Sequence, residues 1–387
     1  MFMNDKRYYF DWAASAPYSQ TQSYALYGNP SSLHSEGRAA KEALENARQR
    51  CAAVLNVPAE TLYFTSGGTE SNAIALFSTL ARIGKGRILS SAAEHASVRE
   101  AMETIEKMGK SVGTIGVDST GKVTPQLLEK ALNQYGDVRF VSIMAVNNET
   151  GAVTDIPALQ AVIKAKKDLP PVHFHCDFVQ AVGKIPVDIE KWSIDSASIS
   201  AHKIGGPHGI GLLYLRKPKS EVFYKGGGQE KGIRGGTENI QGALEMAECL
   251  EKFSTPKTVE ANFDQANARC SKLISALAAI DRCTLIPAVR SLPAACSLFP
   301  AYSPYILQAA FKDIPGEVMA RALDDQGFAV STGSACSASS PERPVLSAMG
   351  IGENLLIEGI RISQGWSTTD QEIDLLLNAI AEVLKFL

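Results

Sequence analysis

Ser198-Ile199-Ser200-Ala201-His202-Lys203-Ile204-Gly205-Gly206-Pro207 is an apolar strand that ends in hydroxyl, imidazole and amine. Taken alone, a lysine ahead of Gly-Gly-Pro reads as a solvated turn after an internal strand. Two other stretches change that reading. His173-Phe174-His175-Cys176-Asp177 runs into Gln180, and Phe140 to Val146 runs into Asn147-Asn148-Glu149-Thr150-Gly151, so two more apolar strands end in reactive side chains. In open α/β sheets, ligands bind beyond the carboxyl ends of the strands. The three ends are therefore expected to converge on one crevice, with Lys203 as a chemical group in it.

Around these strands the pattern alternates. Leu62 to Thr65 reads as a strand, followed by a helix from Thr69, a strand Arg87 to Leu89, a helix after His95, a strand Val112 to Val117 and a helix after Pro125. Ile210 to Leu215 adds a further strand. Upstream, Ala40, Ala43, Leu44, Ala47, Cys51, Val54 and Leu55 recur at helical spacing, with Ser31 or Ser32 as a possible cap. Alternation of this kind predicts an α/β fold: a large domain with a mainly parallel sheet flanked by helices. After the glycine-rich run Gly226 to Gly236 the alternation loosens, and the chain ends in a helix from Asp370 to Phe386 that Thr369 and Glu372 can open as a capping box. A boundary between about Gly242 and Lys272 gives a large domain over 16–255 and a smaller α+β C-terminal domain over 256–387 with 1–15.

Composition narrows the function. The 387 residues exceed one ordinary core. A hydrophobic content of 45% and a charged content of 20% fit a soluble globular enzyme. A formal charge of -3 without runs of Lys or Arg argues against a nucleic-acid partner. Charged residues stand where a signal peptide needs its apolar core, and no apolar stretch is long enough to span a bilayer, so a cytoplasmic location is expected and a membrane one is not. Seven cysteines without compact spacing fit free thiols in a reducing compartment.

Thr65-Ser66-Gly67-Gly68-Thr69-Glu70-Ser71-Asn72 is a strand, a glycine turn and a helix start, where backbone N–H groups and the helix dipole suit a phosphate. The turn lacks the lysine of a P-loop and the spacing of a dinucleotide fingerprint. Phosphate here, an amine at Lys203 and a carboxylate at Asp177 together match the needs of pyridoxal phosphate. That cofactor requires a lysine, an acid against its pyridine nitrogen and an anion cradle. His173 and His175 alternate on one strand but lack a third ligand at a recognisable spacing, so no metal site is expected; they read as packing or supporting residues. His208 reads as a turn residue, and His34 as lining the entrance or starting a helix.

The ordered set Gly28-Asn29-Pro30-Ser31-Ser32, Ser66 to Asn72, Glu94-His95, Asn147 to Gly151, Asp177 to Gln180, Ser200 to Lys203, Arg234 to Asn239, Gly333-Ser334-Ala335-Cys336 and Arg361-Ile362-Ser363 covers nearly the whole chain. It resembles the class V aminotransferase family of fold-type-I pyridoxal phosphate enzymes, and within it the cysteine desulfurases. The resemblance implies roles where residues match. Lys203 resembles the Schiff-base lysine that also shuttles the substrate's α-proton, Asp177 the partner of the pyridinium nitrogen, His95 the imidazole stacked on the ring and Gln180 the donor to its phenolic oxygen. Gly68 lies in the phosphate turn; Thr69, Ser200 and His202 match phosphate ligands. Thr237 matches a phosphate ligand supplied by the other subunit, which implies a homodimer with shared active sites. Asn148 and Arg361 resemble the pair that grips the carboxylate of L-cysteine, a task suited to a planar guanidinium.

Cys336 sits in a small, polar stretch, Ser331 to Pro341, with no face to bury. The resemblance makes it the thiol that takes sulfur as a persulfide, leaving alanine, and passes it to a protein acceptor in iron-sulfur or thio-cofactor assembly. Cys51, Cys176, Cys249, Cys270, Cys283 and Cys296 read as buried small hydrophobes. The segment between Pro17 and Gly28 is short for the family, Trp12 stands where relatives carry a smaller polar residue, and Pro341 and Pro344 alter the Cys336 stretch. Two other readings use the same residues: a selenocysteine lyase or other class V aminotransferase or lyase, and a degenerate member acting only as a binding partner. A catalytic amine and its electron sink have little use in the last.

Overall fold

The computed structural model describes residues 7–18, 27–82, 84, 86–217, 226–291, 301–333 and 343–387. Among these, the main sheet has seven strands, in the order Leu62–Thr65, Gly211–Leu215, Ser196–Ser200, His173–Asp177, Val138–Met144, Arg87–Ser91 and Val112–Ile115. The five strands from Ser196–Ser200 to Val112–Ile115 run parallel; Gly211–Leu215 pairs antiparallel with both its neighbours. The sheet is thus mainly parallel, as the alternating pattern predicts.

Helices cover both faces because successive strand residues point to opposite sides. Leu62, Phe64, Leu89, Val141, Leu212 and Tyr214 pack into one core, while Tyr63, Ile88, Phe140, Leu213 and Leu215 pack into another. The first core takes the helices Ser35–Leu55 and Ile240–Phe253, the second Gly68–Phe77 and Ala96–Lys107. Burial on both faces is what makes these strands continuously apolar in the sequence.

The expected cap at Ser31 or Ser32 is not observed. Residues 29–32 form a turn closed by Ser32 N–H on Asn29 O, and it folds back so closely on Gly37 that a Cβ there would lie 2.4 Å from Ser32 O. The helix starts three residues later, and His34 Nδ1 accepts from Gly37 N–H as its cap. The C-terminal helix Asp370–Phe386 carries the expected capping box, with Thr369 and Glu372 each accepting from the other's backbone N–H.

A second sheet of antiparallel strands, Cys283–Ile286, Ile306–Phe311 and Gly359–Ser363, packs with Leu273, Leu277, Ile373, Leu376 and Ile380 in a separate core. Tyr8 and Phe10 join this core. The N-terminal segment then crosses back toward the main sheet, where Ala16 N–H donates to His202 O.

The glycine-rich run is held by a buried ion pair. Arg48 grips Glu230 through Nη1 at 2.7 Å and Nη2 at 2.8 Å, and Glu230 also accepts from Phe64 N–H. Both side chains are buried, so removing Arg48 would leave the Glu230 carboxylate buried without its cation, at a cost of about 3–5 kcal/mol. Arg234 of the same run pairs with Glu70 at 3.1 Å, tying it to the glycine turn. No helix among the described residues is long and apolar enough to cross a membrane.

Candidate active site

Four strand ends lie along one edge of the main sheet because the strands are parallel. Ser91 leads to His95, Met144 to Asn148, Asp177 to Gln180 and Ser200 to Lys203. With the helix start at Gly68 and Thr69, and Arg361 from the second sheet, they line one cavity of about 240 Å³. The residues brought together include Gly68, Thr69, His95, Asn148, Asp177, Gln180, Ser200, His202, Lys203 and Arg361. Thr237 is exposed and does not line it, and Cys336 and Cys296 lie outside the described residues.

Gly67 has φ 150° and ψ -173°, a conformation open essentially to glycine alone. Ser66 N–H donates to Glu70 Oε2, and the first N–H groups of the following helix have no partner within it. Ser200 and His202 face this turn from the end of the strand Ser196–Ser200, their Oγ and Nδ1 at 2.9 Å. Burial and the adjoining Lys203 amine push the His202 imidazole down to about 3, so it is neutral. His208 stacks on it and contacts Ser15 Oγ at 3.1 Å.

Lys203 ends a 3₁₀ turn over Ala201–Lys203. Its Nζ donates to Ala13 O at 2.7 Å and Ala14 O at 2.6 Å, both on the N-terminal segment. Gly205, with φ 79°, closes this turn under Trp366, whose ring would meet a Cβ at 2.6 Å. Trp12 does not line the cavity; it lies over Gly365 and edge-on to Trp366, and its indole donates to Tyr9 O.

Asn72, which sequence reasoning left without a role, is the junction of the site. Its amide nitrogen donates to Asp177 Oδ2 at 2.8 Å and to Ser97 Oγ at 3.0 Å. Asp177 Oδ1 accepts from Val179 N–H. The remaining amide oxygen of Asn72 can only accept, so His175 Nε2, at 2.9 Å, carries the proton. His175 Nδ1 then accepts from Ser196 O–H, whose oxygen accepts in turn from His173 Nε2–H at 2.7 Å. Burial pushes His175 down to about 3, consistent with this neutral tautomer. The two strand histidines thus support Asp177 through Asn72.

The same junction fixes His95. Its Nδ1 caps the helix Ala96–Lys107 by accepting from Ser97 N–H and lies 2.9 Å from Ser97 Oγ. Burial lowers its pKa, with Lys203 and Arg99 adding to the effect against Asp177. A neutral His95 that accepts at Nδ1 keeps its proton on Nε2. One signal for Asn72 was present in the sequence: it follows Thr69 by three residues, on the same helix face.

Arg361 is buried, with Nη1 donating to Asn148 O and Gly333 O and Nη2 to Asp11 Oδ1 at 2.7 Å. Its Nε is buried without a partner, as is Asn148 Oδ1. Unpaired buried donors and acceptors are costly, and here they face a cavity that can admit their partner. A carboxylate fits the open side of the guanidinium.

Glu94 also lines the cavity, accepting from Ser91 O–H at 2.6 Å and Met144 N–H at 2.8 Å through Oε1. Burial, with Asp177 adding, pushes its carboxyl up to about 8 from an ordinary 4.5. It stays protonated in the folded chain where the unfolded chain ionises. The stability it contributes is full below about 4.5 and is lost as pH rises toward about 8. Glu94→Gln is therefore expected to lose less thermal stability than wild type between these pH values; calorimetry showing equal slopes would contradict this.

Burial raises the thiols of Cys51, Cys249 and Cys283 to about 12 and those of Cys176 and Cys270 upward as well, as expected for inert packing residues. Cys283 is the half-buried one.

The sequence matches the family Aminotransferase class-V over residues 8–376. It is 36% identical to a NifS/IcsS protein homolog of Lactobacillus delbrueckii subsp. bulgaricus, covering 97% of each chain. It is 34% identical to a cysteine desulfurase IscS of Dictyoglomus turgidum, over 97% of this chain and 94% of the relative. Among solved structures, a NifS-like protein superposes with a TM-score of 0.87 at 33% identity, covering 99% of this chain and 100% of that one. A structure described as SspA in complex with cysteine does so with a TM-score of 0.77 at 28% identity, over 94% of this chain and 100% of that one. Fold, strand-end geometry and full-length similarity agree, and the chain belongs to the aminotransferase class-V family.

Proposed function

We propose that the protein is a pyridoxal-phosphate-dependent cysteine desulfurase that converts L-cysteine to L-alanine. The observation that carries this reading is the convergence of Lys203, Asp177, His95, Asn148 and Arg361 on one cavity, in a chain whose full-length relatives are named cysteine desulfurases. The residues fit the cofactor. Asp177 offers an acid held from behind by Asn72, Lys203 an amine, and the turn at Gly68 and Thr69, with Ser200 and His202, a cradle of donors for phosphate. Bound there, pyridoxal phosphate supplies an electron-accepting ring joined to the amino acid's nitrogen, which eases loss of the Cα proton.

The chain's own residues supply the rest. Arg361 Nε and Nη2 present one edge of the guanidinium to the cysteine carboxylate, beside Asn148. Fixing the carboxylate orients the Cα–H bond toward Lys203, whose amine takes the proton and returns it. Cys336 as thiolate attacks the substrate sulfur: the S–S bond forms, the Cβ–S bond breaks, and Cβ keeps the electron pair and is protonated to give alanine. The persulfide on Cys336 then passes to a protein acceptor in iron-sulfur or thio-cofactor assembly.

Purified protein should show a yellow cofactor band and release sulfide and alanine in equal amounts from L-cysteine in the presence of thiol. Absence of the band, or transamination products in place of alanine, would overturn the reading; release from selenocysteine alone would move it to the lyase.

We read the chain as two units, 16–255 and 256–387 with 1–15, supported by the separate cores and by the break at Ser254 and Thr255 between the helices Ile240–Phe253 and Pro256–Ala278. A cytoplasmic homodimer with shared sites accompanies the function. Thr237 is exposed on a run pinned by Glu230 and Arg234, so it is available to a second copy's phosphate turn. Light scattering is expected to give a dimer, and a monomer with full cofactor occupancy would refute the sharing.

A further inference from the structure

Lys184 takes no part in the chemistry above, yet its amine is buried beneath the site. The turn after Asp177 folds back through Gly183, with φ 75°, where a Cβ would press on Ser254 Oγ at 2.9 Å and Ile204 Cγ2 at 3.0 Å. This brings Lys184 Nζ to 2.5 Å from Gln180 Oε1, while Gln180 Nε2 donates to Ala13 O at 2.8 Å. Ala13 O is the same carbonyl that accepts from Lys203 Nζ.

The chemistry of these partners leaves one arrangement. An amine offers N–H groups and a carbonyl only accepts, so the Gln180 amide must point its oxygen at Lys184 and its NH₂ at the Lys203 side of the cavity. Ala13 O holds the NH₂ end of the amide and Lys184 the oxygen end; without Lys184 the buried Oε1 would lose its donor and Ala13 O alone would hold the amide in this sense. We propose that Lys184 is a positioning residue that locks the Gln180 amide with its N–H donors facing the group bound at Lys203.

The burial of this amine fits that use. Among the described residues Lys184 has no carboxylate partner. Burial, with Lys203 and Arg361 nearby, pushes its pKa down to about 7. The ammonium can only donate and enforces this sense; the neutral amine keeps an N–H for Oε1 but also carries a lone pair, and Ala13 O then decides the direction of the amide. An uncompensated buried amine is costly, and an apolar chain of similar volume would pack there more cheaply.

The proposal rests on the pyridoxal phosphate reading and deepens it, because an oxygen of the cofactor beside Lys203 is what the locked amide would meet. Wild type, Lys184→Met, Gln180→Leu and the double variant are titrated with pyridoxal phosphate, recording affinity, absorption maximum and thermal midpoint of the cofactor-free protein. Lys184→Met is expected to weaken cofactor binding by roughly tenfold, the size of one lost hydrogen bond to a charged or polarised group, and to shift the band as Gln180→Leu does. The double variant should be no worse than Gln180→Leu.

A Lys184→Met protein with wild-type affinity and band, or losses that simply add in the double variant, overturns the proposal alone. A wild type that takes up no cofactor overturns the functional reading and this one with it. If Lys184→Met does not fold, Gln180→Glu serves: a carboxylate facing Lys184 should give the Gln180→Leu spectrum with a higher thermal midpoint than Gln180→Leu. A lower midpoint overturns the contact.

Discussion

Lys203→Ala is expected to abolish covalent cofactor attachment and to reduce turnover by on the order of 10³-fold or more, since nucleophilic and proton-transfer roles are lost together. Lys203 ends a short turn after an internal strand, its Nζ donating to Ala13 O and Ala14 O, and it lines the same cavity as Asp177 and His95. Lys184, a buried amine that does not line this cavity, donates to Gln180 Oε1 instead. Borohydride treatment followed by peptide mapping checks the assignment. Wild type should carry the label on the Lys203 peptide, and the variant should carry none. A variant that keeps the band and the covalent label would show that another amine does the work.

Cys336→Ser is expected to separate the work of the cofactor from that of the thiol. Lys203, Asp177, Asn148 and Arg361 are untouched, so the variant should bind pyridoxal phosphate and still change its spectrum on adding L-cysteine. Sulfide release should fall below detection, because a serine hydroxyl is a poor nucleophile toward sulfur and cannot hold a persulfide. Wild type given cysteine without reductant should gain one sulfur on the peptide containing Cys336. Mass spectrometry that places this sulfur on another cysteine, or undiminished sulfide from Cys336→Ser, would favour the aminotransferase or lyase reading. The high pKa of the buried thiols already disfavours them as the nucleophile, since each is held in its thiol form.

The amino-acid sequence by itself determined which strands end in chemistry. Alternation of apolar strands with helices named the sheet, and the residues just beyond Asp177, Ser200 and Met144 named one part of the cavity wall. These features are local: a strand end, a glycine turn and a capping box are written in consecutive residues. The helix Asp370–Phe386 begins where Thr369 and Glu372 say it should for the same reason.

Only the tertiary structure decided how those groups are held. Asp11 reaches Arg361 across 350 positions, and Arg48 meets Glu230 across 182, because separate elements bring them together. Asn72 looked like one more polar residue of a helix start until Asp177, His175 and Ser97 were placed around it. The helix cap moved from Ser31 or Ser32 to His34 because the turn before it folds onto Gly37, a contact no propensity encodes. Periodicity reports which face of an element is buried, but the direction of a hydrogen bond depends on which atoms meet there. That is why the sequence could nominate Lys203 and Asp177, while the roles of Asn72 and Lys184 appeared only once their partners were in place.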